Sequence, residues 1–265
     1  MFYLLGILIS IGCMIASIFH LQQDLLNYFD VVGVMVVTGG TISVMVMTFP
    51  WHLRAELSQA LGRLFLGHPI DLKVWNEHCF NFVRNVKSGQ YPEAHVPKTF
   101  AETVLLDGAE MIQLGIEAKM VESILDERIH NWSERSVRVS SAFRSLAKYP
   151  PAFGLVGTVF GLVSLMRAIS TGSSSAEVGV RMGVALIATL YGLLISNLLL
   201  NPAGERILVM AQEERKAADI GLKSVILAIT SDVSLVESQE ILNSFVASKD
   251  RLKTSNSFKA ERGVA

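Results

Sequence analysis

Long uncharged apolar runs alternate along this chain with stretches in which apolar residues recur every three or four positions. Four runs, residues 2–19, 31–51, 149–166 and 182–204, contain no Asp, Glu, Lys or Arg. A helix rising about 1.5 Å per residue needs about 20 apolar residues to cross a bilayer. The pattern therefore predicts four membrane spans, at about 2–20, 31–51, 149–167 and 182–204. The first has no basic leader and no small-residue cleavage site, and a second span follows at once, so it reads as a retained helix and not as a signal peptide.

The intervening sequence is helical in pattern. In HLRAELSQALGRLFLG, Leu53, Leu57, Leu61 and Leu64 recur at helical spacing. Asp71 is placed to cap DLKVWNEHCFNFVRNVK, where Trp75, Cys79, Phe82 and Val86 form one stripe. SGQYPEAHVPK, with two prolines, reads as a loop, and two more helices are expected at about 99–114 and 119–147. After the fourth span GERILVMAQEERKAADIGLKSVILAI is amphipathic, a shorter helical pattern follows at 234–252, and the polar end KTSNSFKAERGVA carries no pattern. Strand signals are absent. The expected fold is an all-α membrane protein of four spans with a helical domain between spans two and three. Its divisions are a hairpin (1–51), a helical domain (52–148), a second hairpin (149–204) and C-terminal helices with a tail (205–265).

Composition agrees: 51% of residues are apolar, mean hydropathy is +0.42, and 18% are charged. A net charge of −1 gives no reason to expect nucleic acid. Cys13 and Cys79 lie in dissimilar surroundings and read as unpaired thiols, and the six histidines show no metal-ligand spacing. Charge also sets the orientation. Of 23 Lys and Arg, 12 fall in residues 51–148 and 9 in 205–265, while the connection 20–30 has none. The positive-inside rule then puts both termini and the helical domain in the cytoplasm.

The spans carry few polar groups. Gly154, Gly157, Gly161 and Ser164 recur at spacings of 3, 4 and 3, with Thr158 beside them. Ala185, Thr189, Gly192 and Ser196 answer at 4, 3 and 4. Small faces let helices approach closely in lipid, and each threonine could equally bond its own helix at i−4. Pro150 and Pro151 suit a helix start, and Pro202 removes an i−4 bond near the inner end of span four. An ion-moving protein usually keeps an ionisable group within the membrane. Here only Asp30 is a candidate, at the outer edge of span two, where it could equally cap a helix. Any mid-membrane carboxylate must then come from another chain.

PPAFGLVGTVFGLVSLM and MGVALIATLYGLLISNLLLNP resemble the third and fourth spans of MotA/PomA-type flagellar motor stator proteins, in the MotA/TolQ/ExbB superfamily. The likeness extends to FDVVGVMVVTGGT and GAEMIQLGIEAKMVESILDERI, covering most of residues 1–245. The resemblance implies a bacterial inner-membrane pentamer around two copies of a single-span, peptidoglycan-binding MotB-type partner. The partner's transmembrane aspartate would carry H⁺ or Na⁺, and the pentamer would push the rotor protein FliG. It implies that Thr158 and Thr189 line the ion route, with Ala188, Gly154, Gly157 and Gly161, and that Pro151 and Pro202 couple the channel to the cytoplasmic part. Arg84, Lys87 and Glu93 are the nearest matches to the family's rotor-contact charges. Sodium-type members tend to pair threonines before L-Y-G; Ala188 before Thr189 points to H⁺.

The alternatives are an ExbB/TolQ-type energiser, usually of three spans, and a paralogue driving a non-flagellar machine. No nucleophile–base pair, metal cluster or phosphate loop suggests an enzyme, and no cofactor is expected beyond the transported ion.

Overall fold

The computed structural model describes residues 2–22, 24–66, 70–93, 95–172 and 174–252. Among them are ten α-helices and no strand: α1 (Phe2–His20), α2 (Val31–Thr48), α3 (Trp51–Leu66), α4 (Leu72–Lys87), α5 (Phe100–Gln113), α6 (Ala118–Leu146), α7 (Tyr149–Ser170), α8 (Ser175–Leu194), α9 (Asn201–Ile229) and α10 (Leu235–Asn243). A π-helical segment, Ile195–Leu200, joins α8 to α9, and a short 3₁₀ turn, Leu25–Tyr28, precedes α2. Four helical stretches have the length and apolar composition to cross a membrane. The helix of the fourth span begins at Ser175, seven residues before the charge-free run, because Ser174 caps it through Glu177 N–H.

The chain divides into two compact units, one of Met1–Gly67 with Ser136–Val209 and one of His68–Arg135 with Met210–Ala265. In the first, α7 packs along α8, and α2 packs on both. Leu155, Val159, Phe160, Val163 and Met166 on α7 are exposed, as suits a segment solvated by lipid or neighbouring chains. Glycine sets the closeness of the α7–α8 pair: Cβ atoms at Gly157 and Gly161 would fall 2.5 Å from Ala188 Cβ and 2.6 Å from Ala185 Cα. Such approach gains dispersion contacts, which replace water exclusion as the force that pairs helices in lipid.

The second unit has a conventional core of Cys79, Val83, Val104, Leu125, Ile220, Val225 and Leu242, all essentially inaccessible. It draws on α4, α5, the first part of α6, the second part of α9, and α10. Thus residues from 210 onward, grouped with the tail by sequence, complete the core of the helical domain. Asp71 accepts from Lys73 N–H and Val74 N–H at the start of α4, and Ser234 and Glu237 form a capping box on α10. Trp75 Nε1 donates to Ala217 O at 2.8 Å, tying α4 to α9. The Trp75 stripe forms as its spacing predicts. On α3, however, Leu57 and Leu64 are buried while Leu61 is 41% exposed.

Candidate functional site

A cluster of polar contacts within the spans lies between α7 and α8. Thr158 Oγ1 and Thr189 Oγ1 are 2.5 Å apart. Thr158 Oγ1 also lies 3.1 Å from both Gly154 O and Ala185 O, and Thr189 Oγ1 lies 3.4 Å from Gly154 O. The i−4 bond open to Thr158 is therefore made, and a cross-helix bond with it. Both side chains are partly exposed. Two hydroxyls bring two hydrogens and four lone pairs. Once each hydrogen is committed to a carbonyl or to the other hydroxyl, lone pairs remain to accept a further donor. The pair is thus an uncharged acceptor site in an apolar hairpin.

Glycine makes this junction possible. A Cβ at Gly154 would stand 3.0 Å from Ala188 O and Thr189 Cα. Ala188 is buried, with Gly157 on one side and Gly33 of α2 on another. Gly154, Gly157, Gly161 and Ala188 accordingly face other helices of the same chain, and they hold the threonines together by letting the backbones approach.

Asp30 caps α2. Its Oδ2 accepts from Gly33 N–H at 2.5 Å, its backbone N–H donates to the Tyr191 hydroxyl at 2.9 Å, and that hydroxyl donates to Tyr28 O at 2.6 Å. Of the two roles open to this acid in the sequence, the cap is the one its contacts show.

The prolines sit at a second junction. Pro150 and Pro151 occupy the first turn of α7, where a missing N–H leaves no bond unmade. Gly192 lies against them, so that a Cβ there would be 3.0 Å from Pro151 Cα. Ser196, in the π segment, donates to Ala147 O at 2.6 Å just before α7. Asn201 N–H bonds back five residues to Ser196 O. The wider turn answers Pro202, which has no N–H for Leu198 O and would crowd it in a regular helix. The proline was legible in sequence; the π turn was not.

Of the three candidate rotor-contact residues, Arg84 and Glu93 are exposed. Lys87 is half-buried, and its Nζ donates to Thr230 O at 3.0 Å and to Val233 O. It satisfies carbonyls just beyond the C-terminal end of α9, where a cation is also favoured by the helix dipole. Nothing in the local sequence signals this contact, because its partners are backbone atoms more than 140 residues away.

Among the described residues no group of three His, Cys, Asp or Glu could hold a metal. These features define a multi-pass helical membrane protein whose third and fourth spans close on a hydroxyl pair. Residues 97–219 match the model of the MotA/TolQ/ExbB proton channel family. Motility protein A of Treponema phagedenis is 22% identical, over 82% of this chain and 83% of its own length. Chemotaxis protein PomA of Vibrio alginolyticus is 26% identical, over 71% of this chain and 72% of its own. The fold matches the solved C. jejuni MotAB structure with a TM-score of 0.79 at 14% identity, covering 96% of this chain and 98% of that one.

Proposed function

We propose that this chain is a flagellar motor stator subunit that, with a MotB-type single-span partner, couples H⁺ flow across the bacterial inner membrane to torque on the rotor, Na⁺ being the other candidate ion. Its likeness to Motility protein A and PomA supports this reading. The observation that carries the mechanism is the Thr158–Thr189 hydroxyl pair in a hairpin whose membrane interior holds no acid.

Five copies would surround two copies of the partner, with both termini in the cytoplasm. The partner's membrane acid would meet the hydroxyl pair of each subunit in turn. A protonated carboxyl can donate to a free threonine lone pair. A bare carboxylate finds hydroxyl hydrogens already committed, and it carries a large desolvation cost in an apolar site. Neutralisation therefore favours passage, and one elementary charge crossing about 100 mV gains about 2.3 kcal/mol. Gly154, Gly157, Gly161 and Ala188 fix the wall's shape from behind. Pro151 and Pro202 would pass its movement toward the cytoplasmic part, where Arg84 on α4 and Glu93 in the loop after it would engage FliG, with Lys87 holding α4 in place.

The test is motility of cells carrying both subunits. Thr189→Val is expected to abolish swimming and Thr189→Ser to retain it, with Thr158→Val strongly impaired. Normal swimming in both valine variants overturns the hydroxyl role.

A further inference from the structure

We propose that α3 lies in the membrane interface and holds the headgroup of an acidic phospholipid on Arg54. The inference rests on the membrane-spanning reading of α1 and α2. α3 carries two separate apolar stripes. Leu53, Leu57, Ala60 and Leu64, at spacings of 4, 3 and 4, face the protein, with Leu57 and Leu64 each 5% exposed. Trp51, Arg54, Ser58, Leu61 and Phe65, at 3, 4, 3 and 4, form a second stripe, exposed at Trp51, Ser58, Leu61 and Phe65 and partly so at Arg54. Trp51 is 77% exposed and Phe65 44%. The remaining face, with His52, Gln59 and Arg63, is polar and exposed.

Both ends of α3 are tied to the same face of the membrane. It begins three residues after α2 ends, and Arg54 N–H bonds back to Pro50 O at 3.2 Å. At its other end Phe65 meets Tyr3 edge-on, ring centroids 6.0 Å apart. Tyr3 begins span one and Thr48 ends span two, so a helix touching both ends runs along that surface. Trp, Leu and Phe on its open stripe suit the headgroup boundary.

Arg54 is the one charge in that stripe. Its guanidinium carbon sits 5.0 Å from the Trp51 ring centroid. Its Nε is shut off from solvent with no hydrogen-bond partner, and among the described residues no carboxylate pairs with it. A cation held on a lipid-facing stripe calls for an anion at the same depth. A phosphate diester matches the planar guanidinium donors. A neighbouring copy fits less well, because the exposed residues at the adjoining ends of α1 and α2, Leu4, Leu5, Met47 and Thr48, include no acid. A lipid of net negative charge gains attraction at a basic side chain that a zwitterionic lipid does not.

The experiment places full-length protein in nanodiscs containing brominated phosphatidylglycerol or brominated phosphatidylcholine at equal mole fraction. The Trp51 signal is isolated as the fluorescence lost in Trp51→Phe. We expect brominated phosphatidylglycerol to quench it about fivefold more than brominated phosphatidylcholine. Arg54→Gln should bring the two to parity, Arg54→Lys should keep the preference, and Arg63→Gln should leave it unchanged. Equal quenching of the wild type by both lipids overturns the proposal, as does no quenching by either, the result if another copy covers the stripe. The wild-type ratio decides the matter even where a variant fails to assemble. Resistance of the protein to alkaline extraction separates failure of this idea from failure of the membrane-spanning reading.

Discussion

Gly192 of α8 rests against the carbonyl of Pro150 in α7, so closely that any side chain at 192 would press on the backbone of the proline step. Pro150 O, Pro150 C and Pro151 Cα are all within 3.0 Å of where a Cβ would stand. The proline-initiated end of the third span and the stretch leading to the π turn of the fourth are thereby one packed joint, bolted again by Ser196 and Ala147.

Gly192→Ala is accordingly expected to force α7 and α8 apart at this joint. Overpacking against rigid backbone costs about 1–3 kcal/mol. Thermal unfolding of detergent-solubilised protein should show a lowered midpoint and swimming should fail. Gly39→Ala, where an added Cβ meets nothing within 4 Å, should leave both unchanged.

Lys87 and Arg84 stand one turn apart on α4 and should behave oppositely. Lys87→Met strips the ammonium from Thr230 O and Val233 O, and leaving these part-buried carbonyls unsatisfied should cost about 1 kcal/mol. Arg84→Ala removes an exposed charge and should shift stability by under about 0.5 kcal/mol, while impairing torque if it meets the rotor. Denaturant unfolding alongside swimming speed separates the two effects.

His95 links the loop after α4 to α5 in a protonation-dependent way. Its Nδ1 lies 3.1 Å from Glu93 O and its Nε2 2.7 Å from Glu102 Oε1. Both partners are acceptors, so only the doubly protonated ring satisfies both. The hydrogen bond with Glu102 raises the His95 pKa above its ordinary value. Burial tends to raise the Glu102 carboxyl, but the bonds from His95 and Lys98 N–H leave it lowered overall. A raised histidine contributes stability below its unfolded pKa of 6.5 and loses it as pH rises through the folded value. The lowered Glu102 loses its contribution only as pH falls through its own depressed value. Hydrogen-exchange protection of Lys98 N–H, which donates to Glu102, should therefore fall as pH rises through the raised His95 value. In His95→Gln that step should vanish.

Cys79 is wholly buried, and burial pushes its thiol up to about 12. In a Cys13→Ser background, maleimide labelling at pH 8 should be negligible for folded protein and complete after denaturation. Rapid labelling of folded protein would mean that the core of the second unit opens readily.

Much of the site was legible because packing in lipid depends on residue size at fixed spacing. Gly154, Gly157, Gly161, Ala185 and Gly192 could announce a close helix pair, and Thr158 and Thr189 fell on its seam. Contacts that end on backbone atoms were not legible. Lys87 reaches carbonyls beyond α9, and the π turn at Ile195–Leu200 shows in sequence only through Pro202. On α3 four leucines suggested one stripe, yet Leu61 belongs with Trp51 and Phe65 on another, since drift around a helix of 3.6 residues per turn separates them. The apolar positions of α9 at Ala217, Ile220 and Val225 marked an amphipathic helix without saying that α4 and α5 would cover it.

The central claim is that the titrating acid of the ion route lies on a second chain and works against an uncharged hydroxyl pair on this one. Ion conduction should be measured under a membrane potential in vesicles holding this protein alone, with its single-span partner, and with that partner's membrane acid changed to Asn. Conduction only with the unmodified partner, abolished by Thr189→Val, is the predicted result. Equal conduction by this protein alone would contradict the account.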